Sequence, residues 1–239
     1  MRKFFFSLLS TKIMKLAIII QARTNSKRLP EKVLKKIGNK TVLEHLITRL
    51  KKLKPYKNII ISTSRNKNDK KIINISKNLK CKYFLGNEKN VLERFYFTAK
   101  KFKIKNIIRI SADSPFIDPK IVNKAIRLFN SGKYDVVTNL LNPTYPKGMS
   151  VEILNFNTLH ISYLCAQRSD EKEHVTKFIY ENLERFKIKN FALKRSLRNY
   201  NFALDTIKDL NYLRRVFKNI KKNKDFYLKD LIKVASSLN

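Results

Sequence analysis

Short apolar runs alternate with helix-like patterns from residue 16 to residue 138, and this rhythm predicts the fold. The segments between the runs place apolar residues three or four positions apart, as amphipathic helices do. Such alternation predicts an α/β domain whose mostly parallel, twisted sheet is covered by helices on both faces, with right-handed crossovers. The apolar runs with the length of buried strands are 16–20, 58–63, 82–85, 106–110 and 134–138.

Polar residues at the edges of two apolar patterns mark where helices begin. Thr41 and Glu44 have the spacing of a capping box, in which each side chain hydrogen-bonds to the backbone N–H of the other residue. Asp118 followed by Pro119 is typical of an N-cap and the first helical position. We therefore expect helices that start directly after Thr41 and after Asp118.

The rhythm changes after residue 141. Pro143, Pro146 and Gly148 interrupt the chain, and the apolar run that follows them is consistent with one more strand. We interpret 142–185 as an insertion or dimerisation flap on a single α/β domain that spans 14–239.

Further elements are expected beyond this break. Asp170 begins a pattern that predicts one continuous helix with Val175 and Leu183 on its apolar face. The remaining expected elements are strands over 186–193 and 200–204, a helix after Asp205 and a last helix over 227–238.

The composition is strongly basic. Lys and Arg number 53 against 18 Asp and Glu, which gives a formal net charge of +35. Such a charge is typical of nucleic-acid binders, but these lysines are spread along the chain, and the abundance of Lys, Asn and Ile with only 4 Gly indicates a codon bias. The charge is therefore weak support for nucleic acid and modest support for anionic substrates.

Cysteine content and the first residues bear on location. Cys81 and Cys165 predict buried, reduced thiols and a cytoplasmic protein. Residues 1–13 contain a short apolar run that Lys12 interrupts, without a small-residue cleavage site after it. We interpret them as a disordered tail, or Met14 as the true start. No stretch of the sequence is long enough to span a membrane.

A basic loop follows the first predicted strand, and it is the first candidate for chemistry. Arg23, Arg28 and Lys32 lie close together directly after the run 16–20. Loops at the carboxyl ends of parallel strands bind phosphates, and guanidinium and ammonium groups give charge-assisted hydrogen bonds to phosphate oxygens. The alternative is a basic surface loop in a very basic protein.

The order of residues in this loop resembles the nucleotide-binding signature of the sugar-activating cytidylyltransferases, the family that makes CMP-linked 3-deoxy-manno-octulosonate and acylneuraminates. The branch that includes spore coat polysaccharide biosynthesis protein F is the most similar. Glu31 stands where this family usually has Gly. The residues that match its signature are Gln21, Ala22, Arg23, Ser26, Arg28, Leu29, Pro30 and Lys32.

Two aspartates in further family-like segments are candidate magnesium ligands. Asp113 lies in a segment that resembles the family's Arg-Ile-x-Ala-Asp-x-Pro-Phe-Ile-Asp-Pro, and Asp205 lies in its strand–Asp-Thr–helix segment. In relatives the matching acids bind the catalytic metal, and Mg²⁺ prefers such hard oxygen ligands. The alternatives are a turn aspartate at Asp113 and an N-cap at Asp205, although Thr206 could cap that helix instead.

Other matching segments add candidates on either side of the phosphates. Gly148 and Glu152 lie in a Pro-x-Gly-x-x-Val-Glu segment on the sugar side, and His174 lies in a Glu-His-Val-Thr segment. Thr63 matches a position beside the nucleotide base, with strand-end capping as its alternative. Arg94 either reaches a phosphate or forms an ion pair on a helix surface.

The resemblance implies a nucleotide-diphospho-sugar transferase-like fold and a Mg²⁺-dependent reaction of CTP with a sugar, in a protein that is commonly a homodimer. The implied catalytic residues are Arg23, Lys32, Asp113 and Asp205. The implied nucleotide-binding residues are Gln21, Ala22, Arg23, Ser26, Arg28, Lys32, Thr63, Ala112 and Asp113. The implied sugar-binding residues are Gly148, Glu152 and His174.

Two other functions remain open at this point. A glycosyltransferase could use a nucleotide-sugar donor on a similar fold, and it would release a nucleoside diphosphate. A nucleic-acid binder is supported only by the charge of +35, and acidic residues in its groove would repel phosphates unless a metal intervened.

Overall fold

The computed structural model describes residues 13–53, 58–220 and 225–238. The predicted tail or alternative start therefore lies almost wholly outside the described residues. The strands are β1 Met14–Gln21, β2 Lys36–Ile37, β3 Lys40–Thr41, β4 Ile59–Ser64, β5 Lys82–Gly86, β6 Ile104–Ser111, β7 Val136–Thr138, β8 Glu152–Asn155 and β9 Ile188–Asn190. The α-helices are α1 Val42–Leu50, α2 Lys70–Asn78, α3 Val91–Lys101, α4 Pro119–Phe129, α5 Phe156–Cys165, α6 Ser169–Glu173, α7 Lys177–Glu181, α8 Ile207–Asn219 and α9 Leu228–Ser236.

A seven-stranded sheet in the order β5-β4-β1-β6-β8-β7-β9 forms the centre of the described structure. β1 is parallel to both β4 and β6, and β7 is parallel to β9. Only β8 runs antiparallel to its neighbours in this sheet. The mostly parallel α/β fold predicted from the sequence is confirmed, and the carboxyl ends of β1 and β6 lie side by side.

Both faces of the sheet are buried, which explains why β1 reads as an uninterrupted apolar run. Ile18 and Ile20 point into the layer formed with α1, α4 and α8, whereas Ala17 and Ile19 point into the layer formed with α3 and α5. A parallel strand in the middle of such a sheet needs apolar residues on both sides. Each fully buried isoleucine contributes about 1.5–3 kcal/mol to stability.

The predicted helix starts are present. Thr41 and Glu44 form the capping box at α1. Asp118 caps α4 by accepting a hydrogen bond from the Lys120 N–H at 2.7 Å. Its second oxygen accepts from the Leu228 N–H at 2.7 Å, so that one carboxylate joins the starts of α4 and α9.

The segment 142–185 is closely integrated into the fold. It contributes β8, which lies between β6 and β7 in the sheet, and α5, which packs on the same face as α3. Residues 152–155 are therefore part of the central sheet and not of a separate flap. The described ranges contain no helix that is both long enough and apolar enough to cross a membrane.

Two predicted elements after residue 169 are wrong. The expected single helix after Asp170 is divided into α6 and α7, because His174 adopts an extended backbone, and Leu183 beyond α7 is 46% exposed. The segment 200–204 is not a strand of the sheet. Its alternating pattern arises because Phe202 and Leu204 are buried while its backbone bonds to loops, including one isolated bridge from Asn201.

Gly148 is required by the backbone beside this segment. Its φ is +86°, and a Cβ there would lie 2.6 Å from the carbonyl carbon and oxygen of Phe202. Gly132 has a similar φ of +73° but has no atom within 4 Å of the Cβ position. Alanine at either position would have a strained backbone, but only alanine at 148 would also clash with neighbouring atoms.

We predict that Gly132→Ala lowers the free energy of unfolding by about 1 kcal/mol, the cost of a left-handed backbone. Gly148→Ala is predicted to lower it by about 3 kcal/mol or more, because the clash with backbone adds to the same cost. Urea unfolding of the two variants measures the difference. Equal losses of stability in the two variants would contradict the tight packing described at Gly148.

Candidate active site

Charged side chains from distant parts of the chain meet at the carboxyl rim of the sheet. The Lys32 ammonium lies 2.7 Å from a carboxylate oxygen of Asp113 and 2.9 Å from one of Asp205. These two oxygens are therefore no farther apart than the sum of the two distances. Arg28 adds a second cation, 2.8 Å from Asp205. The meeting of the basic loop with both aspartates, expected from the sequence, is present in the structure.

Backbone hydrogen bonds place Asp205 beside Asp113. The Leu204 N–H donates to the carbonyl oxygen of Asp113 at 2.9 Å. α8 is capped by Thr206, whose hydroxyl accepts from the Asp209 N–H while the Asp209 carboxylate accepts from the Thr206 N–H. Asp205 is therefore not the cap of this helix, and its carboxylate faces the basic loop.

Opposite charges control protonation in this cluster. Burial alone would raise the pKa of Asp205, but the hydrogen bonds and charges of Lys32 and Arg28 outweigh it and hold that pKa below its usual value. Burial would lower the pKa of Lys32, but the two aspartates together raise it above its usual value. Lys32 and Asp205 are therefore both charged at neutral pH.

A cavity of about 310 Å³ opens beside this cluster. Its walls come from the end of β1 and the loop after it, the start of α3, the end of β6 and the end of α6. Six of the predicted nucleotide-binding residues from the first loop line it, namely Gln21, Ala22, Arg23, Ser26, Arg28 and Lys32. Three more of the predicted site residues also line the cavity, namely Ala112, Asp113 and His174.

Comparisons with known proteins identify the family to which this site belongs. The family model described as cytidylyltransferase matches residues 17–232. The chain belongs to the cytidylyltransferase family. The resemblance found in the sequence is thereby confirmed.

Individual relatives show how far the similarity of this cytidylyltransferase extends. Spore coat polysaccharide biosynthesis protein SpsF of Bacillus subtilis is 30% identical over 222 residues, which cover 90% of this chain and 91% of the relative. The structure of a cytidylyltransferase from Leptospira borgpetersenii matches with a TM-score of 0.90 and 31% identity, covering 94% of this chain and 95% of that one. The structure of CMP-2-keto-3-deoxy-manno-octonic acid synthetase in complex with CTP shares the fold, with a TM-score of 0.66, 16% identity, and coverage of 85% and 98%.

A buried aspartate that the sequence analysis missed anchors the basic loop of this cytidylyltransferase. Asp69 accepts hydrogen bonds from the N–H and hydroxyl of Thr24, from the hydroxyl of Thr63, and from the N–H and hydroxyl of Ser64, all between 2.6 and 3.0 Å. These bonds join the loop after β1 to the end of β4. The cluster of hydroxyl residues at 62–64 was the only signal for this anchor in the sequence.

Arg23 spans the mouth of the cavity. Its guanidinium pairs with Glu173 at 2.9 Å. The hydrogen bond from Arg23 holds the pKa of Glu173 below its usual value. Arg94 lies deeper, only 1% exposed, and donates to the carbonyl oxygens of Asn87 and Glu88. The surface ion pair considered for Arg94 is therefore wrong, because this side chain is a buried brace for the loop before α3.

Three predicted binding residues lie outside the cavity walls. Thr63 is fully buried, with its hydroxyl bonded to Asp69. Glu152 is 1% exposed, and its carboxylate is enclosed by Arg109 and Tyr180. The direct ligand contacts predicted for these two side chains are therefore corrected, because protein groups already occupy them. Gly148 is also buried, and its tight backbone packing accounts for its position in the motif.

The two aspartates suit a divalent cation that also binds phosphate. Mg²⁺ is usually held by one or two carboxylates together with substrate phosphates. Asp113 and Asp205 already contact one common cation, the Lys32 ammonium, which supplies the positive charge between them. Within the described ranges, no group of three or more His, Cys, Asp or Glu could hold a metal. A metal here would therefore need ligand oxygens in addition to the two carboxylates.

We predict that Asp69→Asn lowers the free energy of unfolding at pH 7 by about 1–3 kcal/mol, because an amide nitrogen cannot accept the hydrogen bonds that the second oxygen accepts. Burial would raise the pKa of Asp69, but its hydrogen bonds with Ser64, Thr24 and Thr63 hold it below the usual 3.8. The ionised group therefore stabilises the fold fully above pH 3.8 and loses this effect as the pH falls through its lower folded pKa.

Urea unfolding of both proteins across this pH range measures the effect, and the stability difference should shrink at the acid end. Asp225→Asn removes an exposed carboxylate paired with Lys52 and serves as the control, unfolding at nearly the wild-type urea concentration. Equal stability of wild type and Asp69→Asn at pH 7 would contradict the role of Asp69 as an anchor. A stability difference that grows on acidification would also contradict it.

Proposed function

We propose that this cytidylyltransferase transfers the cytidylyl group of CTP to a hydroxyl of a sugar, giving a CMP-sugar and pyrophosphate. The observation that carries the proposal is the joint position of Lys32, Asp113 and Asp205 at the edge of a cavity lined by the basic loop. The named relatives support the substrates. SpsF is a polysaccharide biosynthesis protein, and the synthetase of similar fold binds CTP and makes a CMP-linked sugar acid.

The basic loop would bind the triphosphate. Arg23, Arg28 and Lys32 each carry a charge that is now balanced by a carboxylate of the protein itself. A triphosphate carries several negative charges, and guanidinium groups can offer its oxygens two parallel N–H bonds. CTP would therefore replace these internal ion pairs, and Ala22, Ser26 and Ala112 on the cavity walls would contact the nucleotide.

Asp113 and Asp205 would hold Mg²⁺, which when bound would neutralise phosphate charge and polarise the α-phosphoryl group. The residues of the chain would provide alignment. Lys32 and Arg28 would hold the triphosphate, while His174, which also lines the cavity, would contact the sugar. The sugar oxygen would then form a bond to the α-phosphorus as the bond from that phosphorus to the bridging oxygen breaks, so that pyrophosphate leaves and the hydroxyl proton passes to solvent.

A pyrophosphate-release screen tests the proposal. Each of the four nucleoside triphosphates would be combined with a panel of sugar acids and deoxy sugars, with Mg²⁺ and then with excess chelator. We expect release with CTP and at least one sugar acid, and none after chelation. Release of a nucleoside diphosphate from a nucleotide sugar would instead show a glycosyltransferase.

We predict that Asp113→Asn abolishes turnover while leaving the fold intact. Loss of a carboxylate that holds the metal removes several kcal/mol of charge stabilisation, which corresponds to about a thousandfold or more in rate. Pyrophosphate release and urea unfolding would be measured together, with Asp225→Asn as an exposed control. Wild-type pyrophosphate release by Asp113→Asn would defeat the assignment of this residue.

We also propose a homodimer that pairs through the segment 142–185. Leu164 in α5 is 66% exposed and Leu183 is 46% exposed, so this segment presents two large apolar side chains that a second chain could cover. Light scattering during gel filtration would give twice the chain mass of 28.3 kDa. A mass that corresponds to a single chain at micromolar concentration would exclude the dimer.

A further inference from the structure

A chain of polar groups runs from α7 to the active-site cavity. The Tyr180 hydroxyl donates to Glu152 at 2.5 Å, and Arg109 forms an ion pair with the other oxygen of the same carboxylate. The second terminal nitrogen of Arg109 lies 3.0 Å from Oε1 of Gln21. Gln21 lines the cavity, whereas the other three residues do not. The order of β1, β6 and β8 in the sheet places these side chains next to one another.

The direction of every hydrogen bond in this chain follows from chemistry. A guanidinium group has only donors, so the atom of Gln21 that faces Arg109 must be the carbonyl oxygen. Burial, followed by the charge of Glu152 and the hydrogen bond to it, raises the pKa of Tyr180 well above its usual value, so the hydroxyl keeps its proton. Because that proton goes to Glu152, the neighbouring Thr138 hydroxyl at 2.9 Å must donate to Tyr180.

The amide of Gln21 is therefore fixed in one of its two orientations. A glutamine that is free to flip can offer a ligand either an oxygen or an NH₂ group. Here the oxygen is engaged by Arg109, and Nε2 has no partner in the described part of the chain. The group that remains for a ligand in the cavity is the NH₂ donor.

We propose that Arg109, Glu152 and Tyr180 are positioning residues that hold Gln21 as a fixed N–H donor toward an acceptor oxygen of the ligand. This inference rests on the proposed function for the identity of the ligand, whose acceptor oxygen belongs either to the nucleotide or to the sugar. A site with a fixed donor discriminates strongly, because a ligand without an acceptor leaves a polar group unpaired. It favours a carboxylate, carbonyl or ether oxygen at this position and disfavours an ammonium group.

The orientation of Gln21 can be measured without any ligand. The chain has two glutamines, Gln21 and Gln167, so labelling with ¹⁵N at the glutamine side chain gives two NH₂ signals in an NMR spectrum. Gln21→Glu and Gln167→Glu assign them. Because its amide oxygen is held, we expect the Gln21 NH₂ group to show a high ¹⁵N heteronuclear NOE and proton shifts distinct from those of the exposed Gln167.

Arg109→Lys tests the positioning role, since lysine keeps the charge beside Glu152 but lacks the fork that reaches Gln21 as well. The Gln21 protons should then move toward the shifts of Gln167, and the heteronuclear NOE of this NH₂ group should fall. Tyr180→Phe, which removes only a hydroxyl, should give a smaller change in the same direction. Arg127→Lys on the exposed face of α4 is the matched control and should leave the Gln21 signal in place.

Ligand titrations identify the acceptor. CTP with Mg²⁺ is added first and 3-deoxy-manno-octulosonate or N-acetylneuraminate second, while backbone signals report whether each binds. A shift of the Gln21 NH₂ with CTP alone would assign the donor to the nucleotide, and a shift only after the sugar acid would assign it to the sugar.

In activity assays, Gln21→Glu should raise the KM of the assigned ligand about a hundredfold and Arg109→Lys about tenfold, with the other KM nearly unchanged. Gln167→Glu, which makes the same change of charge, should alter neither.

Two results would overturn the proposal. One is a Gln21 signal that is unchanged in folded Arg109→Lys and in Tyr180→Phe, since the orientation would then not depend on the positioning residues. The other is binding of both ligands without any shift of the Gln21 NH₂. If neither ligand binds, the proposed function fails, and the ligand-free spectra still decide whether Gln21 is held.

Discussion

The ammonium group of Lys32 between Asp113 and Asp205 is the interaction on which the active site depends. Two carboxylates at one site repel each other, and a cation between them offsets that repulsion. Lys32 supplies that cation and at the same time draws the loop after β1 onto the ends of β6 and of the segment before α8. The free protein thus holds these three side chains in place with internal charge. The same balance supports the proposal that a metal and a triphosphate bind together, since one would replace the charge of Lys32 between the acids and the other would give Lys32 a new partner.

Much of this arrangement could be predicted, because parallel sheets follow simple rules. Apolar runs identified β1 and β6, and a parallel sheet required the residues after them, including Asp113, to reach the same rim. The position of Asp205 could not be derived from pattern, since the alternation at 200–204 indicated a strand. That alternation instead reflects two buried residues in a segment bonded to loops. The break at His174 was missed for a related reason, because helical periodicity continues through a kink when both sides bury apolar residues.

Glu31 shows how the fold keeps a loop conformation that its sequence does not favour. It stands where similar proteins usually have glycine, and it adopts the left-handed backbone, with φ +54°, that glycine tolerates best. Such strain persists only where surrounding contacts determine the conformation. Here the Glu31 N–H donates to the carbonyl oxygen of Thr24, and Thr24 is itself held by the buried Asp69. The anchor at β4 therefore secures the far end of the basic loop as well as its beginning, a coupling that no local sequence signal records.

The arginines around the cavity form two groups that differ in burial. This difference says more about the candidate site than the net charge of +35 does. Arg94 and Arg109 bind groups of the protein itself. Arg94 donates to the carbonyl oxygens before α3, and Arg109 binds Glu152 and Gln21. Burial, with the charge of nearby Arg23, lowers the pKa of Arg94 to about 10, so it stays charged at neutral pH and keeps its structural role. Arg23 and Arg28 are more exposed, and they form ion pairs with Glu173 and Asp205. A surface rich in lysine attracts anions in general, whereas Arg94 and Arg109 hold groups of the protein in place beside the cavity.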